Sequence, residues 1–218
     1  MNFRFLDSIT AVEPDAWNAI AGVDYPFLRH EFLYALEASG SASKKRGWQP
    51  QHLLIEENNE LVALMPLYIK SHSMGEFVFD HSWAQAFQRY GYAYYPKLLI
   101  AIPFTPATGP RLAHRECDIN ALQRAVYSAL KQKLKALNAS GWHALFVESR
   151  EFPLWAALGG SQRIDCQFQW QNKGYAHFDD FLSTFASRKR KALRKERERI
   201  SAQEISFKRL HGAAITPA

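Results

Sequence analysis

The chain has 218 residues, 47% of them hydrophobic and 14% aromatic, with 27 Lys+Arg against 21 Asp+Glu and two cysteines. This composition excludes a largely disordered chain and a disulfide-stapled mini-domain, and the length suffices to bury a core without staples. The net charge of +6 is concentrated in one place. Ser187–Ile200, SRKRKALRKERERI, holds eight basic residues against two glutamates, so the rest of the chain is balanced overall.

The N-terminal MNFRFLDSITAVEPDAW carries Asp7, Glu13 and Asp15 and no apolar h-region, so it does not read as a signal peptide. The longest apolar run, LVALMPLYI, is too short to span a bilayer. With only Cys117 and Cys166 for disulfide chemistry, a reducing compartment is expected, and the protein reads as cytoplasmic.

FRFLD is the first expected strand. PDAWNAIAG then reads as a short helix, with Pro14 in its first turn and Gly22 as its stop. RHEFLYALEASG carries an apolar stripe of Phe32, Leu33 and Leu36 and reads as a second helix. HLLIEE and ELVALMPLYIK form a hairpin at Asn58-Asn59, since asparagine tolerates the positive φ of tight turns. Pro66 cannot donate to a ladder, so an edge or a bulge is expected there. GEFVFDH is a further strand, and SWAQAFQRYG a short helix capped by Ser82. PKLLIAIPF is an apolar strand, and TPATGPRL a loop.

Asp118 caps a long helix in which Ile119, Leu122, Val126, Leu130, Leu134 and Leu137 form one buried stripe. WHALFVES is a strand and EFPLWAALGG a short helix. In RIDCQFQWQ, strict alternation predicts a half-buried strand with Cys166 on its apolar face. DDFLSTFA leads into the basic segment, and ISFKRL is a last strand. The order predicts an α/β or α+β architecture, with helices covering both faces of a mixed, largely antiparallel sheet.

Chemistry-bearing residues concentrate between Lys70 and Arg111, the region expected to line the main concave site. KSHSMGEFVFDHSWAQAF sets Lys70, His72, Ser73, Glu76, Asp80, His81 and Trp83 close together. His72, Glu76 or Asp80 could serve as a general base, and an extended segment would put Glu76 and Asp80 on one face. The competing reading is a set of solvated loop and strand-edge polar groups. YAYYPKL adds Tyr94, Tyr95 and Lys97, which suit a sugar or peptide substrate or simple core packing. In TPATGPRL, Thr105, Thr108, Gly109 and Arg111 could hold an anion, although Pro106 and Pro110 remove two backbone donors. His114 and Cys117 have metal-like spacing but no second pair, so no metal site is expected.

The basic segment reads as a helix with almost no face to bury. Arg188, Lys189, Arg190, Lys191 and Arg194 could hold an anion, or the helix is a solvated connector. Aromatics do not interleave with the charges, so sequence-specific DNA reading is not expected.

RHEFLYALEASG, GWQPQHL, MPLYIKSHSMGEFVFDHSWA, YYPKL, PFTPATGPR and RKRKALRKERE, in this order, resemble the FemAB-like bacterial proteins, which are described as peptidoglycan biosynthesis/recognition or GNAT-family acetyltransferases. The resemblance implies a GNAT-like fold, usually two units in tandem. On that pattern residues 1–178 would be the N-terminal domain, 179–203 a basic connecting helix, and 204–218 the start of a truncated second unit. It also implies an acyl- or aminoacyltransferase acting on an amine of a cell-wall precursor or similar acceptor. Acetyl-CoA or aminoacyl-tRNA would be the donor, with no other cofactor required. The alternative is a non-catalytic recognition domain that binds a polyanion (tRNA, lipid-linked pyrophosphate) or a cell-wall fragment. Peripheral membrane contact and a homo-oligomer through the C-terminal segment are further expectations. The loop TPATGPRL lacks the usual arginine-or-glutamine, two residues, glycine, any, glycine pattern, so weak binding of acetyl-CoA is expected.

Overall fold

A computed structural model describes residues 1–166, 168–203 and 205–215. The chain divides into two compact units, Met1–Arg163 and Ile164–Ala218. Unit 1 runs β1 (Asn2–Leu6), α1 (Pro14–Ala21), α2 (His30–Ala38), β2 (Trp48–Pro50), β3 (His52–Glu57), β4 (Glu60–Met65), β5 (Leu67–Lys70), α3 (His81–Arg89), β6 (Lys97–Ile100), β7 (Ala113–His114), α4 (Ile119–Leu137), β8 (Trp142–Ala144) and α5 (Phe152–Ala157).

Two four-stranded sheets share one long hairpin. The first has the order β1-β3-β4-β7 and is antiparallel throughout. The second has the order β2-β5-β6-β8, antiparallel except for the β6–β8 pair. Asn58 and Asn59 take positive φ (52° and 65°) at the hairpin tip, as two consecutive turn residues must when strands twist right-handedly. Pro66 is the joint between sheets. It ends β4, and β5 resumes at Leu67 in the second sheet, while on the opposite arm Gln51 N–H bonds Leu67 O at 2.8 Å. A residue without an N–H thus sits where the ladder changes partners.

Alternation along β3 and β4 places helices on both faces of the first sheet. Leu54 and Leu64 pack with Trp17, Leu28 and Leu33 from the α1–α2 side. Leu53, Ile55, Ala63 and Met65 pack with Leu122, Val126, Leu130 and Trp155 from the α4–α5 side. Asp118 caps α4 by accepting from Asn120 and Ala121 N–H, and Asn138 closes it at φ 49°. Ile119, expected on the buried stripe, is exposed, because it lies in the first turn before the helix meets the sheet.

Gly75–His81 is not a strand. Gly75 (φ 79°) and Phe77 (φ 59°) are left-handed, which breaks extended backbone and folds the segment inward. Helix α3 starts at His81, one residue before the expected cap Ser82. Asp80 occupies the N-cap position without capping, since its carboxylate is engaged elsewhere.

Unit 2 contains α6 (Phe178–Ser183) and α7 (Ser187–Ser201). Its described residues form no strand. In the expected strand over 163–171, Gln167 lies outside the described residues, and Ile164, Cys166, Phe168 and Trp170 are exposed. Ile205, Phe207 and Leu210 of the expected last strand are also exposed. Alternation alone does not make a strand, because its backbone groups need a paired neighbour. Helix α6 carries a capping box between His177 and Asp180, and Trp170, Tyr175 and Phe185 pack edge-on to Phe181.

Candidate functional site: two buried lysines and two carboxylates

The second sheet has one apolar face, where Leu67, Leu98 and Ile100 join the α4-side core. The opposite face carries Trp48, Tyr68 and Leu99 and turns polar at one end. There Lys70 closes β5 and Lys97 opens β6, directly opposite each other in the antiparallel register, with Trp48 opposite Lys70 on the other side. Both lysines are fully buried. Two such charges on neighbouring strands require acids, and the chain between them, Ser71–Pro96, supplies both.

Lys97 Nζ donates to Ser73 Oγ (2.8 Å), Glu76 Oε2 (2.8 Å) and Asp80 Oδ2 (2.5 Å). Lys70 Nζ donates to Met74 O (3.2 Å), lies 3.6 Å from the Trp48 ring centroid, and is 3.9 Å from Glu76 Oε1. Trp48 Nε1 donates to the same Met74 carbonyl at 3.2 Å. Tyr94 donates its hydroxyl proton to Asp80 Oδ2 at 2.7 Å, and its oxygen lies 3.3 Å from His143 Nε2. Ser73 and Tyr95 share a hydroxyl–hydroxyl bond of 2.8 Å. Glu76 Oε1 and Asp80 Oδ1 are buried without hydrogen-bond partners among the described residues.

These surroundings spread the proton affinities. Burial brings the Lys70 ammonium down to about 7; Glu76 opposes the shift and the Lys97 charge reinforces it. Burial also raises Glu76, against the pull of Lys97. For Asp80 burial acts upward, but the hydrogen bonds from Lys97 and Tyr94 and the Lys97 charge outweigh it and hold the carboxyl at about 2. Burial and the Asp80 carboxylate raise Tyr94 well above a normal phenol. Burial, then the Lys97 charge, lowers His143 to about 4, so its imidazole is neutral near pH 7. A neutral amine beside an ionised carboxylate can accept a proton, and Lys97 can hold developing negative charge.

Seven of the residues singled out from sequence come together here: Lys70, Ser73, Glu76, Asp80, Tyr94, Tyr95 and Lys97. His72 does not join them. Its ring lies against Gly47, where an added Cβ would meet Nε2 at 2.3 Å, and its Nδ1 accepts from Met74 N–H. Trp83 stands on α3, largely exposed. The region, expected to line a concave site, closes over a polar interior. Concavities open elsewhere, one of about 420 Å³ beside Trp170, Tyr175 and Phe181 in unit 2, another of about 380 Å³ beside Asp7, Tyr34, Glu37 and Lys44 in unit 1.

Thr105, Thr108, Gly109 and Arg111 form a separate knot. Arg111 is fully buried, and its guanidinium donates to the carbonyls of Leu145 (2.8 Å), Ala107 (2.7 Å) and Pro110 (3.0 Å). Gly109 N–H donates to Phe146 O at 3.0 Å, and the Tyr25 ring lies where a Gly109 side chain would be. Thr105 Oγ1 donates to Pro103 O, and Thr108 is exposed. Of these four residues only Thr108 keeps its side chain exposed, since the Arg111 guanidinium, the Gly109 N–H and the Thr105 hydroxyl are engaged inside the protein, and one hydroxyl does not fit the pyrophosphate of acetyl-CoA. In unit 2, Arg188, Lys189 and Lys191 are exposed on α7, Arg190 reaches Ser183 O at 3.5 Å, and Arg194 pairs with Asp179 at 3.1 Å.

His143 and Trp48 belong to the cluster but carried no signal in the sequence. His143 reaches it because β8 pairs parallel to β6, a long-range pairing with no local signature. Trp48 sits one residue beyond Gly47, in a strand of three residues.

Among the described residues no helix is long and apolar enough to cross a membrane. No curated protein and no solved structure matches the chain. The FemAB-like family model, described as peptidoglycan biosynthesis/recognition, matches residues 8–218, which takes in the lysine–carboxylate cluster, the Arg111 knot and the basic helix alike. The chain therefore belongs to the FemAB-like family, with a role in peptidoglycan biosynthesis or recognition.

Proposed function

We propose that unit 1 is an acyl- or aminoacyltransferase unit acting on an amine of a cell-wall precursor, with the Lys70–Lys97–Glu76–Asp80 cluster as its reactive centre. The observation that carries this reading is the burial of two cross-strand lysines with two carboxylates under one segment. Such a network contributes little to stability compared with apolar residues of the same volume, so its presence calls for another reason. Ionisable groups whose proton affinities are pushed apart are the usual mark of a reactive site.

In this reading the acceptor enters as an ammonium and must lose a proton before its nitrogen can attack an acyl carbon. Lys70, neutral above pH 7 or so, takes that proton, and Lys97 and Tyr94 hold Asp80 in its ionised form. The turn Ser73–Glu76 covers Lys70 and has to move for the acceptor to reach it. Because the Arg111 loop does not fit acetyl-CoA, no step is assigned to that donor.

That same loop favours a second reading, a recognition domain that binds a cell-wall fragment without turnover. The two separate in one experiment. The full chain is incubated with a precursor bearing a free amine and with aminoacyl-tRNA or acetyl-CoA, and the products are weighed by mass spectrometry. The transferase reading expects a mass gain on the precursor that rises with pH through about 7 and is lost in Lys70→Met. Precursor binding without any mass gain, unchanged by Lys70→Met, would support recognition instead.

A further inference from the structure

The end of unit 1 where β5 stops and β6 and β8 begin is built from three segments: 41–47 before β2, Ser71–Pro96 with α3, and 135–141, which is the last turn of α4 and the residues after it. Backbone and hydroxyl bonds tie the last two together, Ser140 N–H to Pro96 O (3.0 Å) and Ser140 Oγ to Tyr94 O. The first is tied in by the His72 ring against Gly47. This end has an unusual chemistry. Lys44, Lys45, Arg46, Arg89 and Lys135 are exposed, while the only acids in the three segments, Glu76 and Asp80, are turned inward onto the buried lysines. The exposed charges that these three segments contribute are therefore all positive, with Asp7 and Glu37 of other elements lining a concavity beside Lys44.

The same segments present Met74, Phe77, Phe79, Trp83, Tyr90 and Tyr92 to solvent, Phe79 at 73% and Tyr90 at 80% exposure. Helix α3 buries no residue, and Phe77 takes a left-handed conformation (φ 59°) with its ring outside. Left-handed backbone is costly for a bulky residue, and here it goes with Glu76 and Asp80 turned inward while the Phe77 ring stays in solvent. Exposed large apolar groups gathered at one end mark an interaction surface. Trp and Tyr among a majority of cations match the boundary of an anionic bilayer: rings at headgroup depth and Lys/Arg on phosphates.

We propose that unit 1 docks by this end on the surface of an anionic lipid bilayer. The docking does not depend on the transferase reading, and it would turn the cover of the lysine cluster toward the lipid.

The test uses the full chain and vesicles of phosphatidylcholine, alone or with 30% phosphatidylglycerol, some carrying brominated chains. Sedimentation should show binding at least tenfold tighter to the anionic vesicles, weakening as salt is raised. Lys44→Glu/Lys45→Glu/Arg46→Glu should lower that binding at least tenfold with an unchanged circular dichroism spectrum. Brominated lipid should quench tryptophan emission in the wild type and much less in Trp83→Phe. Arg188→Gln/Lys189→Gln/Lys191→Gln on α7 should leave the Trp83 quenching in place. The proposal is overturned if no vesicle binds, or if the α7 variant abolishes binding while the Lys44–Arg46 variant does not. It is equally overturned if Trp83→Ser abolishes a concentration-dependent dimer in a chain that ignores both lipids.

Discussion

Lys97→Met is the most informative single change, because among the described residues Lys97 is the only group touching both buried carboxylates at hydrogen-bond distance. Methionine fills a similar volume but leaves Asp80, 1% exposed, without its ion-pair partner and Glu76, 4% exposed, with only Lys70 at 3.9 Å. Breaking a buried ion pair from one side costs about 3–5 kcal/mol, since the stranded charge has lost its solvent as well as its partner. The loss should therefore be about that size at pH 7 in urea unfolding followed by circular dichroism. It should also depend on pH with a definite sign. Asp80 is held at about 2 in the folded chain, below its ordinary value of 3.8. Its contribution is present above about pH 4 and fades as pH falls toward 2. The gap between wild type and Lys97→Met should narrow across that window. Adding Glu76→Gln and Asp80→Asn removes the stranded charges and should recover at least half of the loss. A loss under about 1 kcal/mol at pH 7, or no recovery in the triple variant, would refute the reasoning.

Lys70 gives a dependence of the same sign at higher pH: its folded value of about 7 lies below the unfolded 10.5, so the unfolded chain binds more protons between them and stability rises with pH there. Lys70→Met should flatten the slope between pH 7 and 9.5 relative to wild type, read from urea midpoints at half-unit steps. Gly75→Ala forces a side chain into left-handed backbone (φ 79°) and 2.6 Å from the Phe104 ring, so a loss of about 1–3 kcal/mol and faster hydrogen exchange at Met74–Glu76 are expected. Arg111→Lys keeps the charge but cannot reach the Leu145, Ala107 and Pro110 carbonyls together. It should cost about 1–3 kcal/mol and open residues 103–111 to limited proteolysis.

Much of this site was legible because it interrupts strong local patterns. Lysines at the ends of the apolar runs LYIK and KLLI, and two acids within a short polar stretch, stand out against apolar strands. Their convergence rests on the pairing of β5 with β6, consecutive strands of one sheet, which sequence order favours. His143 arrived through a parallel pairing with no local mark. The expected Gly75–His81 strand failed because Phe77 adopts a φ that nothing in its residue type announces. The Glu76–Asp80 convergence, expected from strand alternation, comes instead from a folded turn drawn in by Lys97. In RIDCQFQWQ alternation was clear, but a strand also needs a neighbour, and periodicity does not say whether one exists.

Burial beside Lys97 holds Lys70 as a largely neutral amine just above pH 7. This protonation behaviour is tested most directly by following the ¹³Cε and ¹⁵Nζ resonances of labelled lysine between pH 5 and 11, with Lys70→Arg assigning the signal. A midpoint for Lys70 near 7 is the result expected from its surroundings. A midpoint near 10.5, the ordinary lysine value, would contradict the account.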